Sequence, residues 1–386
     1  MYIGENSPRI RLMKILFFIR SLELGGAERQ MANLAIELGN RGHQIAVVAM
    51  YEGGVLKDLL EKSGIQVFCL KKKRRWQIVL PLMRLWRIVQ RAEPDIVHSY
   101  GPEVNVFALF LKLFDRKHRL VWGVRNAGLS RKMYGIFERV LYWFECRFSG
   151  IPQLIIANSE AGRMLAIRDG FRPENFIVIQ NGINTEVNHP DPKARKKKRI
   201  EWGATADTKV IGLIGRVDPQ KDHRSFISAI ARLPKEIKAQ ILVVCAGYRT
   251  EEQIVDLRAY VREEGLEELF AWIRHDANVM ETLNGLDMLV SSSNAEGFSN
   301  VLAEGLAVGL PCVATDVGDS RLIVDNFGLI VPARSPAALS SAIVELLGDS
   351  RVFSESFAQT AREHIVRNFS IKALGEKTET ALSAII

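Results

Sequence analysis

Four residues in the C-terminal half have the types and spacing to bind and split a diphosphate ester. Glu296 and Glu304 stand eight residues apart in NAEGFSNVLAEGLAVGLPCVATDVGDS, residues 294–320. Upstream, Arg216 and Lys221 stand five apart in IGLIGRVDPQKDH. A carboxylate is a poor partner for phosphate but a good one for sugar hydroxyls. Two carboxylates flanking a diphosphate could therefore each hold one sugar. That layout is a nucleotide-sugar: hexose, diphosphate, ribose, base.

The elements around them fit. Met288-Leu289-Val290, followed by Ser291-Ser292-Ser293, reads as a buried strand leaving its sheet. Gly297 permits a turn, and Ser299 or Asn300 can cap a helix carrying Val301, Leu302, Leu306 and Val308. A helix start offers unpaired N–H groups and about half a positive charge to a phosphate. Spacing alone equally suits an ordinary surface helix with two acids in its first turns. Arg216 follows a buried strand end and Lys221 opens the next helix, so both can project into one cleft. There they would stabilise the negative charge that grows on a departing nucleoside diphosphate. Either could instead be a solvated cation at a helix start.

A second phosphate-friendly turn opens the chain. The apolar run 15–19 breaks at Gly25-Gly26, and Met31, Leu34, Ala35 and Leu38 then give helical spacing. The G-x-G-x-x-G dinucleotide pattern is absent, so a simple tight turn is the competing reading.

The wording EGFSNVLAEGLAVGLPCVATDVGDS, the Gly-Arg…Lys pair and GGAERQ together resemble the retaining glycosyltransferases of family 4. The resemblance implies the GT-B fold, two Rossmann-like doubly wound α/β domains facing a cleft. It implies donor contacts from Glu296, Gly297, Phe298, Ser299, Asn300, Val301 and Glu304, with Arg216 and Lys221 on the diphosphate. Gly25 and Gly26 would face the donor phosphates and the acceptor, and Glu28 would orient the acceptor. The family's reaction is described as front-face, the leaving phosphate helping to deprotonate the acceptor. Many members place a histidine beside the reacting sugar, but here Arg125 or Asn126 stands in VWGVRNAG. His98, at a strand end in IVHSYGP, is the other candidate, against the reading of a hydrogen-bonded strand-end histidine. No Asp-x-Asp pair occurs, so metal-independent transfer is expected, with no cofactor. UDP-sugars and GDP-mannose both serve relatives with this wording; UDP is the expected nucleotide.

At 386 residues, the chain exceeds one ordinary core and should form two domains. Strands expected at 15–19, 44–50, 65–70, 95–98, 119–124, 154–157 and 176–179 alternate with helices near 55–63, 77–91, 103–114, 132–148 and 159–169. A second series has strands at 209–215, 240–245, 287–291, 311–315 and 328–331. Such alternation argues for doubly wound parallel sheets. The expected domains are 1–190 on the acceptor side and 201–370 on the donor side. The polar, basic stretch EVNHPDPKARKKKRIEWG reads as a mobile linker and hinge. The resemblance returns a last helix, about 371–386, to the first domain.

Four scattered cysteines form no disulfide or zinc framework and suit a reducing cytosol. Neither a secretory signal nor a spanning helix is expected. The net charge of +8 admits nucleic acid, anionic membrane or phosphorylated ligands as partners. No nucleic-acid motif accompanies it. KKKRRWQIVLPLMRLWR, 71–87, and RKMYGIFERVLYWFECRF, 131–148, are cationic, aromatic and partly amphipathic. They suit an anionic bilayer on the cytoplasmic face, or in part the domain core. With a membrane, the acceptor would be lipid-linked, in assembly of surface polysaccharide, lipopolysaccharide or capsule. Two other readings are a nucleotide-sugar epimerase or phosphorylase on the same fold, and a non-catalytic membrane-bound assembly subunit.

Overall fold

The computed structural model describes residues 11–23, 25–74, 77–114, 117–125, 135–274 and 278–386. The chain forms two compact units, Met1–Gly182 with Ile371–Ile386, and Ile183–Ser370.

The first unit holds a seven-stranded sheet of β1 (Lys14–Ile19), β2 (Gln44–Ala49), β3 (Gln66–Cys69), β4 (Ile96–Tyr100), β5 (Arg119–Val124), β6 (Leu154–Ala157) and β7 (Phe176–Val178). Its order is β3-β2-β1-β4-β5-β6-β7, parallel throughout. Parallel strands need helical crossovers, and these cover both faces, which is why the strands read as continuous apolar runs. Along β1 the side chains alternate: Ile15, Phe17 and Ile19 join one core and Leu16 and Phe18 the other. The helix Ile371–Ser383 packs against helix Gly26–Asn40, where Glu379 takes His43 at 2.7 Å and Arg41 at 3.1 Å.

The second unit holds β8 (Lys209–Ile214), β9 (Ile241–Tyr248), β10 (Phe270–Arg274), β11 (Met288–Ser291), β12 (Cys312–Thr315) and β13 (Gly328–Val331). Its order is β10-β9-β8-β11-β12-β13, again parallel. In both sheets the order reverses once, between β1 and β4 and between β8 and β11. Crossovers diverge there and leave a crevice at the carboxyl ends of the strands.

Two expectations need correction. The edge strand β10 was not foreseen, because FAWIR is short, half-buried and preceded by acids. The stretch expected as linker and hinge is largely a helix, Pro192–Glu201, inside the second unit, so the units divide at Gly182 rather than near 190. Asp191 caps this helix by accepting from Lys193 N and Ala194 N, and Pro192 presets its first turn. Its cations are anchored: Arg195 and Arg199 grip Asp287 at 2.5 and 2.7 Å, ahead of β11. Burial alone would raise the Asp287 pKa, but the Val210 N–H and both guanidinium groups hold it below the usual range.

Candidate functional site

In the second unit, β8 and β11 deliver their loops side by side at the switch point. Gly215 and Arg216 follow β8, and residues 292–297 follow β11. Ser292 Oγ donates to the carbonyls of Lys221 and Asp222 at 2.9 and 3.0 Å, and Gln220 Nε2 donates to Ala295 O at 2.7 Å. These bonds weld the two loops. They bring Lys221 Nζ within 2.5 Å of Glu296 Oε1, which also accepts from Ser293 Oγ at 2.8 Å. Among the described residues both of these bonds fall on Oε1, which leaves Oε2 for a ligand hydroxyl. Arg216 reaches Asp218 at 3.4 Å and stays 68% exposed, so it is able to swing onto an anion.

Glu296 is positioned from a third loop. Gly318 has φ +58°, and a Cβ there would lie 2.3 Å from Gly297 O; Asp319 N donates to that same oxygen at 2.8 Å. Only glycine lets the two turns approach so closely. Ser299 then precedes helix Asn300–Ala307, yet its Oγ makes no capping bond and is buried with no hydrogen-bond partner. An orphaned hydroxyl at a helix N-terminus suits an anionic oxygen from a ligand. Glu304 is almost buried in the second turn of this helix, and Val301 packs on the core beside it. The ring of Phe298, expected among donor contacts, lies in the core and meets Phe369 at 5.4 Å.

In the first unit, the β1/β4 switch point opens into a cavity of about 290 Å³. Its wall includes Arg20, Glu28, Tyr100, Glu103, Arg125 and Tyr142. Glu103 is held by Lys72, by Tyr51 Oη at 3.3 Å and by Arg20 at 3.6 Å. Arg125, just past β5, bonds Asn181 and lies 5.2 Å over the Tyr100 ring. The Tyr100 hydroxyl is buried beside the Arg125 guanidinium. Burial raises its pKa, and the Arg125 charge opposes this. Gly25 caps helix Gly26–Asn40 with ordinary backbone angles, and its N–H goes to Glu23 O at 2.9 Å. Its lack of a side chain makes room for Glu28, whose carboxylate lies 2.1 Å from where a Cβ would sit. Gly26 has open space around it.

His98 is not in this cavity. It lies one residue pair deeper on β4, its ring tilted against Tyr100 at 4.5 Å and Phe17 at 5.4 Å, with both ring nitrogens buried and unbonded. Burial, then the Arg125 charge, push its pKa down to about 3, so it stays neutral. A strand places alternate residues on one face, and the member at the carboxyl end, Tyr100, reaches the crevice. Asn126 lies outside the described residues. Sequence reasoning missed Ser293, Tyr100, Arg20 and Glu103; the run Ser291–Ser293 and the parity of IVHSYGP were the signals available.

The chain matches the family model described as Glycosyltransferase Family 4 over residues 24–187 and that described as Glycosyl transferases group 1 over 208–349. It is 25% identical to an N-acetylgalactosaminyltransferase of Campylobacter jejuni, named for an N-acetylgalactosamine-N,N'-diacetylbacillosaminyl-diphospho-undecaprenol acceptor, over 88% of this chain and 92% of that one. It is 23% identical to the capsular polysaccharide biosynthesis glycosyltransferase CapM of Staphylococcus aureus, over 79% and 80%. The Anabaena HepE protein, solved with UDP, superposes with a TM-score of 0.83 at 23% identity, over 96% of this chain and all of that one. That likeness establishes the two Rossmann-like domains of the GT-B fold. With both family models matched in order, one on each unit, the chain belongs to glycosyltransferase family 4.

Proposed function

We propose that this glycosyltransferase moves a hexose or N-acetylhexosamine from a UDP-sugar to a lipid-linked glycan acceptor, with retention at the anomeric carbon and without a metal. The observation that carries the reading is the Lys221–Glu296 pair at the switch point of the second sheet, beside the unpartnered Ser299 hydroxyl at a helix start.

In this reading the donor diphosphate lies against the N-terminus of helix Asn300–Ala307. Ser299 and the first helical amides donate to its oxygens, and Arg216 and Lys221 offset its negative charge in place of a metal. Glu296, oriented by Lys221 and Ser293, accepts from hydroxyls of the donor sugar, and Glu304 from the ribose. The bond between the anomeric carbon and the diphosphate breaks. The acceptor oxygen bonds to the same face, and its proton passes to the leaving phosphate. Glu28 and Arg125, on the cavity of the first unit, orient the acceptor.

UDP as the nucleotide is supported by the Anabaena complexes with UDP and UDP-glucose. A polyprenyl-diphosphate acceptor is supported by the name of the Campylobacter relative. No described helix is long and apolar enough to cross a membrane, and the basic, aromatic segments 71–87 and 131–148 favour peripheral attachment at an anionic cytoplasmic face. The test is incubation with UDP-sugars and a polyprenyl-diphosphate glycan in EDTA, with the product anomer read by NMR. An α-linked product from an α-donor is expected. Turnover abolished by EDTA and restored by a divalent cation would overturn the metal-free reading, and an inverted product would overturn retention.

A further inference from the structure

The cavity at the β1/β4 switch point holds a carboxylate that the reaction above does not use. Gly101, at φ +89°, turns the chain from β4 into helix Pro102–Phe114, and Glu103 stands in its first turn, where a negative charge is favoured. Behind it lies Lys72, whose side chain is 1% exposed, bonds Glu103 and rests 5.1 Å from the Phe107 ring centre. Desolvating such a pair costs about what its attraction returns, and apolar residues of the same volume would serve stability as well. The pair therefore speaks for recognition. Among the described residues, Lys72 and Tyr51 both bond Oε1 of Glu103, while Oε2 meets Arg20 at 3.6 Å, a side chain 62% exposed. A ligand hydroxyl can take Oε2 while Arg20 moves aside.

Size and charge decide what the ligand is. At about 290 Å³ the cavity sits at the lower end of ligand pockets, about 300–1,000 Å³, so it takes one sugar ring rather than an oligosaccharide. Three carboxylates, Glu28, Glu103 and Glu138, face two guanidinium groups, Arg20 and Arg125, with the Lys72 ammonium behind. Charges so balanced give a diphosphate no hold. Much of the remaining wall is apolar, with Ile19, Val104, Phe137 and Leu141. Phe137 and Leu141 stand four apart on helix Ile136–Phe148, so one helix face lays both along the cavity. A hydroxyl against that wall would lose its hydrogen bonds to water, whereas a methyl group gains by leaving water.

We propose that this cavity takes only the terminal sugar of the acceptor, that Glu103 accepts from one of its ring hydroxyls, and that Phe137 and Leu141 select a sugar bearing a methyl-ended substituent, acetamido or 6-deoxy. The inference rests on the acceptor reading above and deepens it by naming the sugar class. Saturation-transfer NMR on the full chain, with UDP at saturating concentration, tests it. The probes are methyl glycosides of glucose and galactose, each beside its 2-acetamido and 6-deoxy counterpart. In at least one series a methyl-bearing sugar should bind about fourfold or more tightly than its parent. Glu103→Gln should weaken every glycoside about tenfold. Leu141→Asn should shrink the preference to under about twofold while the parent sugar still binds. The two changes lie on separate helices and circular dichroism checks folding, so a misfolded variant leaves the other to decide.

Each contrary result has its own meaning. Parent and methyl-bearing sugars that bind alike overturn the selection. A preference that survives Leu141→Asn overturns the seat on that wall, and full affinity in Glu103→Gln overturns the carboxylate's part. Displacement of the glycosides by inorganic pyrophosphate, with UDP present, makes the acceptor's diphosphate the occupant and overturns the proposal. Absence of glycoside binding beside normal UDP binding overturns the cavity's role and leaves the donor reading standing.

Discussion

Lys221→Met separates two jobs held by one side chain. Lys221 and Glu296 meet at 2.5 Å with side chains 18% and 10% exposed, so the substitution leaves a mostly desolvated carboxylate with Ser293 as its remaining donor. Breaking a fully buried pair costs about 3–5 kcal/mol, and the residual exposure here brings that to about 2 kcal/mol in the second unit. Losing a cation at a departing diphosphate costs a further factor of about 10²–10³ in turnover. The double variant Lys221→Met/Glu296→Gln removes both charges, so about half of the lost stability should return while turnover stays low. Urea titration read by hydrogen exchange in β9 and β11 reports the second unit by itself, and turnover is measured under saturating donor. Stability within about 0.5 kcal/mol of wild type for Lys221→Met would refute the pairing. Turnover restored in the double variant would refute the role at the diphosphate.

Three further outcomes follow from buried groups. Glu145 bonds Asn105 at 2.6 Å, and burial raises its pKa from 4.5 to about 8. The fold therefore favours the protonated form: stability from this group is full below about pH 4.5 and falls as pH rises towards 8, by as much as about 4–5 kcal/mol. Glu145→Gln should flatten that slope and exceed wild type at pH 8, as urea midpoints at pH 5 and 8 would show. Asp287, held below the usual carboxylate range, acts in the opposite sense. Its stabilisation is present above about pH 4 and is lost on acidification, and Asp287→Asn should cost the second unit about 2–3 kcal/mol at pH 7 by urea titration. His98→Phe should keep kcat/KM within about threefold of wild type, because the ring is packing between Phe17 and Tyr100 rather than a proton carrier.

The sequence carried the sheets well because buried parallel strands flanked by amphipathic helices leave an unambiguous pattern. Ile15–Ile19 and Met288–Ser291 are such runs, and each ends at a switch point. It carried the site less evenly. Arg216, Lys221 and Glu296 were legible as charge types beside turn residues, and the structure brings Lys221 and Glu296 together. The side chains of Phe298 and His98 lie deeper than their places in the sequence suggest, for one reason: a motif gives position along the chain, whereas burial depends on which face of a strand or turn a side chain takes. The basic stretch 192–201 looked like a linker because its composition is polar. Its helix is held by Asp191 at one end and by Asp287, nearly a hundred residues away, and no local pattern reveals that partner. Ser299 was legible as a cap or donor contact, but that its hydroxyl makes no capping bond is visible only in the structure.

The central claim is that the second unit binds a diphosphate at the start of helix Asn300–Ala307 without a metal. Calorimetric titration of UDP and of uridine in EDTA, into wild type and Ser299→Ala, tests it most directly. UDP should bind at least about thirtyfold more tightly than uridine, and Ser299→Ala should weaken UDP alone, by about 1–2 kcal/mol. Equal affinities for UDP and uridine, or a serine variant that loses both alike, would contradict it.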